Sequence, residues 1–525
     1  MAEQQEQLHC DLLVVGGGIN GAGIARDAAG RGLSVVLCEK DDLASHTSSA
    51  STKLIHGGLR YLENYEFSLV RKALIEREVL LRSAPHIMSP LRFVMPHDEG
   101  QRPAWMIRIG LFLYDGLARR ELLPGSRGVN LRKHPSGAPL DERFKRGFVY
   151  SDGWVDDARL VVLNAVDAAE KGARILTRTA CQSLAKSDDE WVATLQPEHG
   201  KPIEVHARCV VNASGPWAVR FLQECAHHSA DRTLRLIKGS HIVVKRLFDH
   251  PYAYIFQHPD GRIVFAIPYQ HDFTLIGTTD IDYQGDPNKV AIDSEEVSYL
   301  CELINHYFKK PITPADVVWS YSGVRPLVED EAGSASAVTR DYRLELDHDH
   351  GMAPMLSVFG GKITTFRKLA EEAVDLVMAA LKAKPSPDLL HQFGHWTGDA
   401  CLPGGDLYGA HPSNKSVLKF EHYVHTLQKQ YAWLPPALVA RYARAYGTRI
   451  HLLLDGRHEV GDMDEEIAPG LFAAEVSYLI KHEWARTAED ILWRRSKLGL
   501  HLPADSVEVL DKWLSRHHAT EYESN

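Results

Sequence analysis

Several residue groups in this chain have types and spacings that can do chemistry. Gly16, Gly17, Gly18 and Gly21 fit the spacing G-x-G-x-x-G, behind an apolar run at 12–15 and ahead of an Ala-rich stretch at 22–30. One glycine lets a strand turn sharply into a helix. Another lets backbone N–H groups approach a pyrophosphate, and a third lets helix and strand pack closely. The helix N-terminus adds partial positive charge toward the phosphates. Glu39 ends a second β-type run, 33–37, where an acid can accept bonds from a ribose. Strand, glycines, helix, strand and acid in this order predict a dinucleotide site, and by themselves leave NAD and FAD both open.

A second group follows directly. The polar run 45–52 leads to Lys53, His56, Gly57, Gly58, Arg60 and Tyr61. Two cations, an imidazole and paired glycines beside a dinucleotide crease are more than a linker needs. The plainer alternatives are a histidine bonded to backbone and an arginine in a salt bridge. A third group is Gly360, Gly361 and Lys362, ahead of a long amphipathic helix that Thr364 or Thr365 can cap. This junction can offer positive helix-end potential to an anionic ring locus or a phosphate.

The elements that must position these groups can be read in outline. Leu69, Ala73, Leu74, Val79 and Leu80 predict a helix over 67–82, and 91–95 reads as a strand entering a second domain. In 102–120, Met106, Ile109, Leu113 and Leu117 fall at helical spacing. Trp105 and Phe112 flank them, with Arg102, Arg108, Arg119 and Arg120 toward the ends. That pattern suits a basic amphipathic helix lying in a bilayer interface, and equally an ordinary helix facing a core. Strand, helix and strand at 147–155, 156–172 and 173–177 return to the first domain, and 181–211 reads as a small meander. A strand then ends in Asn212, Ala213, Ser214 and Gly215, small residues that can pass a cofactor closely. Residues 234–285 are β-rich with Gly and Asp between the runs, as in an antiparallel sheet. A helix at 294–308 and strands at 317–324, 340–346 and 356–358 follow. The stretches 384–387 and 394–405 read as linker. Helices are expected at 415–431, 436–446, 470–482, 486–497 and 505–517.

The division expected is therefore a discontinuous dinucleotide-binding domain at 1–90, 150–232 and 318–385. A substrate or cap domain takes 91–149 and 233–317, and a helical C-terminal domain takes 395–525.

Composition narrows the function. The chain has 525 residues and a formal net charge of −10, which argues against a nucleic-acid binder that works by neutralising phosphate. Its seven cysteines lack any C-x-x-C, as expected for reduced thiols in a cytosolic setting. The N-terminus is polar and acidic, unlike a secretory signal, and no stretch is apolar enough to span a bilayer. Membrane attachment is therefore expected to be peripheral. The pairs His227-His228 and His517-His518 diverge, the HEWAR stretch at 482–486 lacks the second histidine of H-E-x-x-H, and 347–351 lacks the rest of a calcium loop. No metal is expected, and without G-x-S-x-G a serine hydrolase has no support.

The longer stretches carry a family resemblance. VVGGGINGAGIARDAAGRGLSV, TSSASTKLIHGGLRYLE, RPAWMIRIGLF, YSDGWVDDARLV, NASGPW, RLIKGSHIVV, IGTTD, YSGVRPL and SVFGGKITTFRKLAE run in order from about 10 to about 405. With them the chain closely resembles the FAD-dependent, respiratory glycerol-3-phosphate dehydrogenases; the helical C-terminal part matches less distinctly. The resemblance implies an α/β FAD-binding domain of the glutathione-reductase or D-amino-acid-oxidase type, an antiparallel-sheet substrate domain and an α-helical C-terminal domain. It implies oxidation of sn-glycerol 3-phosphate to dihydroxyacetone phosphate, hydride passing from C2 to FAD N5 and electrons going on to a membrane quinone. It favours the interfacial reading of 102–120, on a cytoplasmic protein held at the inner membrane, with a homodimer among the expected assemblies and nucleic acid excluded. The alternative is an O₂-reducing glycerol-3-phosphate oxidase or a related amine or hydroxyacid oxidase on the same fold. Relatives from mitochondria carry calcium loops near the C-terminus, which this chain lacks.

The same resemblance distributes the site. Gly16, Gly18, Asn20, Gly21, Glu39 and Lys40 would hold the ADP end of FAD. Thr47, Ser48, Ser49, Lys53, Leu54 and His56 would extend the site, with Ala213 and Gly215, toward Gly361, Lys362, Ile363 and Thr364 at the isoalloxazine. Arg60, Tyr61, Arg325 and Lys362 match the substrate-site motifs, with Arg325 and Arg60 as phosphate or alkoxide clamps, since a guanidinium grips such oxygens bidentately. Lys362 would steady developing negative charge, and His56 is the general base, its ordinary pKa lying nearest neutrality. Arg325 and His56 are the catalytic pair so expected.

Overall fold

The structure, a computed structural model, describes residues 6–98, 102–187, 189–227, 233–257, 262–328, 341–347, 353–382 and 395–521, with side chains through 517. The linker stretch 384–387 lies outside them, as do His228 and the 348–351 part of the calcium-like stretch.

The strand Gln7–Val15 is flanked by parallel partners, Val35–Cys38 on one side and Ile203–Asn212 on the other. Leu12, Leu13 and Val14 have no exposed surface, the condition of a parallel strand covered on both faces. Arg174–Leu176 and Met355–Phe359 extend the parallel run outward, and Arg343–Asp347 closes one edge antiparallel. The expected meander is present as Thr179–Ser187 and Glu190–Pro197, antiparallel beside Ile203–Asn212. Helices Ile19–Gly30, Asp157–Glu170 and Phe366–Leu381 supply the apolar layer on one face, through residues such as Ala22, Leu160 and Leu369. The other face packs under Trp191, Ala193 and Phe221.

Among the described residues, ten strands form a second sheet beside the first. Leu234–Lys245, Ile263–Tyr269 and Phe273–Gly277 pair antiparallel as expected, but Ala253–Gln257 joins Met88–His97 in parallel. The long strand Val317–Val328 pairs along Leu234–Lys245 over nearly its whole length. Residues 318–328, grouped by the sequence with the dinucleotide-binding domain, thus run in the second sheet. So do the strand Arg146–Val155 beyond residue 150 and the short strand Leu54–Ile55. These crossings carry Leu54 and Arg325 to the seam between the sheets.

The C-terminal unit has its own core around Tyr442, Tyr446, Leu479 and Ile491. Its expected helices appear as Asn414–Leu418 with Phe420–Gln430, then Pro436–Tyr446, Ala473–Glu483 and Ser506–Glu521. The 486–497 stretch is instead a short π-helical segment, Asp490–Arg495, and a small hairpin, Glu466–Ala468 with Leu471–Phe472, was not foreseen. Arg159, on a helix under the first sheet, pairs with Glu483, and both are buried at the seam with this unit.

Candidate active site

A cleft of about 540 Å³ opens along the carboxyl ends of the first sheet's strands and reaches the second sheet. Its first wall is the glycine turn. Gly16 sits at φ +113°, and a Cβ there would lie 2.6 Å from the Ala213 carbonyl oxygen, so two strand ends approach only because a side chain is missing. Gly18, Asn20, Ala213 and Gly215 share this wall. Gly21 does not line the cleft. It lets the helix start beneath the turn, since its Cβ would meet the Gly16 carbonyl oxygen at 1.9 Å.

Glu39 closes the turn from behind: Oε2 accepts the Gly17 N–H at 2.7 Å and Oε1 accepts the Asp41 N–H at 2.9 Å. Burial raises its carboxyl pKa, and these two N–H bonds oppose the shift. Lys40 also lines this end, with Nζ 4.4 Å over the Trp217 ring and 2.8 Å from Asp41. The loop after it supplies Thr47, whose hydroxyl donates to the Val324 carbonyl at 2.7 Å, and Ser48, whose Oγ accepts the Ile19 N–H at 3.0 Å.

Two expected members of this loop are turned elsewhere. Ser49 donates to the His46 carbonyl and is outside the cleft lining. Lys53 is fully buried, with Nζ 2.7 Å from Asp157 and 3.0 Å from the Ser49 carbonyl, so its charge is spent holding the loop to a helix N-terminus. Ser49 is thus held by the loop backbone and Lys53 by Asp157.

At the far end the cleft is lined by Leu54, His56 and Tyr61 from one segment and by Gly361, Lys362, Ile363 and Thr364 from another. Lys362 Nζ lies 3.6 Å over the Tyr61 ring. Neither expected threonine cap forms. Thr365 occupies the N-cap of Phe366–Leu381 without a side-chain bond, while the Thr364 hydroxyl accepts the His56 N–H at 3.3 Å. Arg325 reaches the same end; Nη2 donates to the Thr279 carbonyl at 2.9 Å and lies 2.8 Å from Asp280. Arg60, in the turn Leu59–Asn64, is not among the lining residues, whereas Tyr61, expected beside it, is.

Several lining residues lie outside the expected set, among them Cys38, Trp217, Thr278 and His241. His241 is buried, and its ring stacks on Tyr321 at 4.7 Å and 16°. Nε2 lies 3.0 Å from the Thr52 hydroxyl, and Nδ1 has no hydrogen-bond partner among the described residues. Burial, then the charges of Lys53 and Arg325, push its pKa well below the ordinary 6.5. No distinct signal marks it in the sequence, since the strand Leu234–Lys245 also carries Arg235, Lys238, Ser240 and Lys245.

Asn20 Oδ1 is a second buried polar atom on the lining without a partner among the described residues. Unsatisfied polar atoms in a cleft walled by a Cβ-free turn, with Glu39 at one end and Lys362 at the other, fit a ligand as long as a flavin dinucleotide. Elsewhere, among the described residues, His9, Glu190 and His206 bring ligand-type atoms within 4.8 Å of one another, with His206 hydrogen-bonded to Glu190 and to Glu204. Sequence neighbours do not reveal such a cluster, since it gathers across three strands.

Fold and cleft together define a flavin-type dinucleotide oxidoreductase. Residues 11–367 match the family described as FAD dependent oxidoreductase, and 396–517 match the C-terminal domain of alpha-glycerophosphate oxidase. A glycerol-3-phosphate dehydrogenase from Pseudomonas aeruginosa is 53% identical over 97% of this chain and 95% of its own. The aerobic glycerol-3-phosphate dehydrogenase of Escherichia coli is 49% identical over 96% and 97%, and a D-erythritol 1-phosphate dehydrogenase from Brucella abortus is 50% identical over the same shares. The Bacillus halodurans glycerol-3-phosphate dehydrogenase complexed with FAD superposes with a TM-score of 0.76 at 26% identity, covering 99% of this chain and 92% of that one. The chain belongs to the FAD-dependent oxidoreductase family, among its glycerol-3-phosphate dehydrogenases.

Proposed function

We propose that this enzyme oxidises sn-glycerol 3-phosphate at C2 to dihydroxyacetone phosphate and hands the electrons to a membrane quinone. The observation that carries the reading is the convergence of Arg325, Lys362 and a neutral imidazole at the cleft end opposite Glu39. Bound FAD supplies the acceptor for the hydride that leaves C2. Arg325 and Lys362 hold the anionic substrate, a guanidinium by paired N–H donors and an ammonium as a point charge. His241, its Nε2 held 3.0 Å from the Thr52 hydroxyl and its ring kept unprotonated at neutral pH by burial, takes the C2 hydroxyl proton. His56, the base expected from sequence, lines the same end and is the alternative acceptor. Per turnover the substrate loses a hydride and a proton, equivalent to two electrons and two protons.

The helix Ala104–Gly116 supports contact with a membrane. Trp105, Met106, Ile109, Phe112 and Leu113 are exposed, Trp105 at 63% and Phe112 at 69%, while Leu111 and Tyr114 anchor the other side. Arg102 and Arg119 lie beyond the two ends of the helix, each beside a glutamate (Glu63 at 3.2 Å and Glu121 at 3.6 Å), so the exposed apolar face carries the attachment. No helix of the described residues is long and apolar enough to cross a membrane.

The test is anaerobic. Glycerol 3-phosphate should bleach the yellow FAD-loaded protein, and quinone should restore the colour. The relative named for D-erythritol 1-phosphate makes that longer polyol phosphate the comparison substrate. Bleaching by it alone would reassign the substrate, and bleaching by neither would remove the dehydrogenase reading.

A further inference from the structure

The C-terminal unit lies outside the cleft, yet its π-helical segment Asp490–Arg495 reaches the loop that forms the cleft wall. The Ser496 N–H bonds the Ile491 carbonyl five residues back. Such π segments cluster where side chains must be aimed unusually. Here two consecutive arginines meet one carboxylate. Asp42 Oδ2 accepts from Arg494 Nε at 2.7 Å and from Arg495 Nη1 at 2.6 Å, and Oδ1 accepts from Arg495 Nη2 at 2.7 Å. Asp42 and both arginines are buried. Asp42 is three residues past Glu39 and opens the loop carrying Thr47, Ser48 and Thr52 to the cleft. Arg178, beside the same loop, is drawn to Asp490 at 2.9 Å, and Trp493 stacks on Trp319 of the second sheet at 4.4 Å and 17°.

Buried charges this far from solvent are costly unless paired and hydrogen-bonded, so removing one partner displaces the others. The loop's first residues are also tied by backbone, where the Asp41 carbonyl accepts the Arg178 N–H at 2.7 Å and the Gly17 carbonyl accepts the Ala44 N–H at 3.2 Å, but the partners of the Asp42 carboxylate come from the C-terminal unit. The buried charge of Asp42, and with it this part of the loop, therefore depends on the docked C-terminal unit for its partners.

We propose that Arg494 and Arg495 are positioning residues for the cofactor: through Asp42 they hold the loop in its FAD-binding shape, so that FAD binding and docking of the 486–497 segment stabilise each other. This rests on the reading of the cleft as a FAD site. Coupling between binding events is reciprocal, which makes the proposal testable from either side.

Hydrogen exchange on the full-length wild-type chain, with and without FAD, tests it from the cofactor side. FAD should slow exchange in 486–497 beyond its effect on the helix Pro436–Tyr446. That helix pairs its Arg441 and Arg444 with Glu475 and Glu421 instead of the loop, and so reports any general stabilisation. Equal slowing in both, with the glycine turn protected, overturns the proposal. No protection of the glycine turn would instead overturn the FAD reading itself. From the other side, Asp42→Asn and Arg495→Met should each weaken FAD binding about tenfold, within the roughly 5- to 150-fold span of ordinary coupling. The double variant should be no weaker than either single one. FAD affinity unchanged in folded variants overturns the proposal, and so does full additivity. If a variant fails to fold, the exchange experiment decides.

Discussion

His241 and Arg325 approach the cleft end from neighbouring strands of the second sheet, and their environments set different tasks. Arg325 is charged and anchored to Thr279 and Asp280, so it offers donors in a fixed direction. Arg325→Ala should raise KM for the phosphorylated substrate about 10- to 100-fold, from the loss of charge-assisted hydrogen bonds. Lysine at 325 should not restore it, lacking the planar fork. An unaltered KM would exclude the clamp role. His241→Asn should slow anaerobic flavin reduction by about 10²- to 10⁴-fold while FAD stays bound. Because its pKa is held well below 6.5, kcat/KM of the wild type should not fall on the acid side until well under that value. If His56→Asn causes the larger loss, the proton goes to His56. The motif around His56 was legible because glycines and cations cluster there within a few positions. His241 was not, because its neighbours Thr52 and Tyr321 come from 189 residues before it and from a later paired strand.

At the scale of elements, the chain reads most clearly where one period persists. The glycine turn with its strand and helix, and the long helix Phe67–Ser83, follow from apolar spacing alone. The helix Ala104–Gly116 had two readings, and its apolar residues at 105, 106, 109, 112 and 113 prove to be exposed while only Leu111 and Tyr114 are buried. Replacing Ile109 and Phe112 together by serine should abolish co-sedimentation with anionic vesicles and leave thermal stability nearly unchanged, since surface substitutions ordinarily stay within about 0.5 kcal/mol. Retained vesicle binding would point to another attachment surface. The strand Val317–Val328 shows the converse limit. Its pattern announced a strand, but nothing local stated that it pairs with Leu234–Lys245 and belongs to the second sheet.

The whole molecule stores a pH dependence in its seams. His86 is fully buried where the first helical layer meets the C-terminal unit, and burial, followed by the charges of Arg159, Arg444 and Arg449, lowers its pKa to about 3. In the unfolded chain it binds a proton near 6.5, whereas the folded chain binds one only near 3. Its contribution to stability is thus complete above 6.5 and is lost as pH falls from there toward 3; His241 acts in the same direction. The melting temperature should decline on acidification through this window, and His86→Gln should make the decline shallower. A melting temperature flat from neutrality to pH 4 would contradict the buried, neutral state.

By itself the sequence determined the dinucleotide turn, most of the helices and strands, and the family, because each is written in adjacent residues or in a period that a short window contains. Steric need for glycine and the periods of helix and strand are local properties. Tertiary structure alone decided that Lys53 faces Asp157 and not the cleft, that His241 stands neutral beside Arg325, and that a π segment far down the chain grips the cofactor loop through Asp42. The physical reason is common to all three. A buried charge or imidazole takes its role from the partner it meets and the solvent it loses, and both are set by pairings between residues tens to hundreds of positions apart.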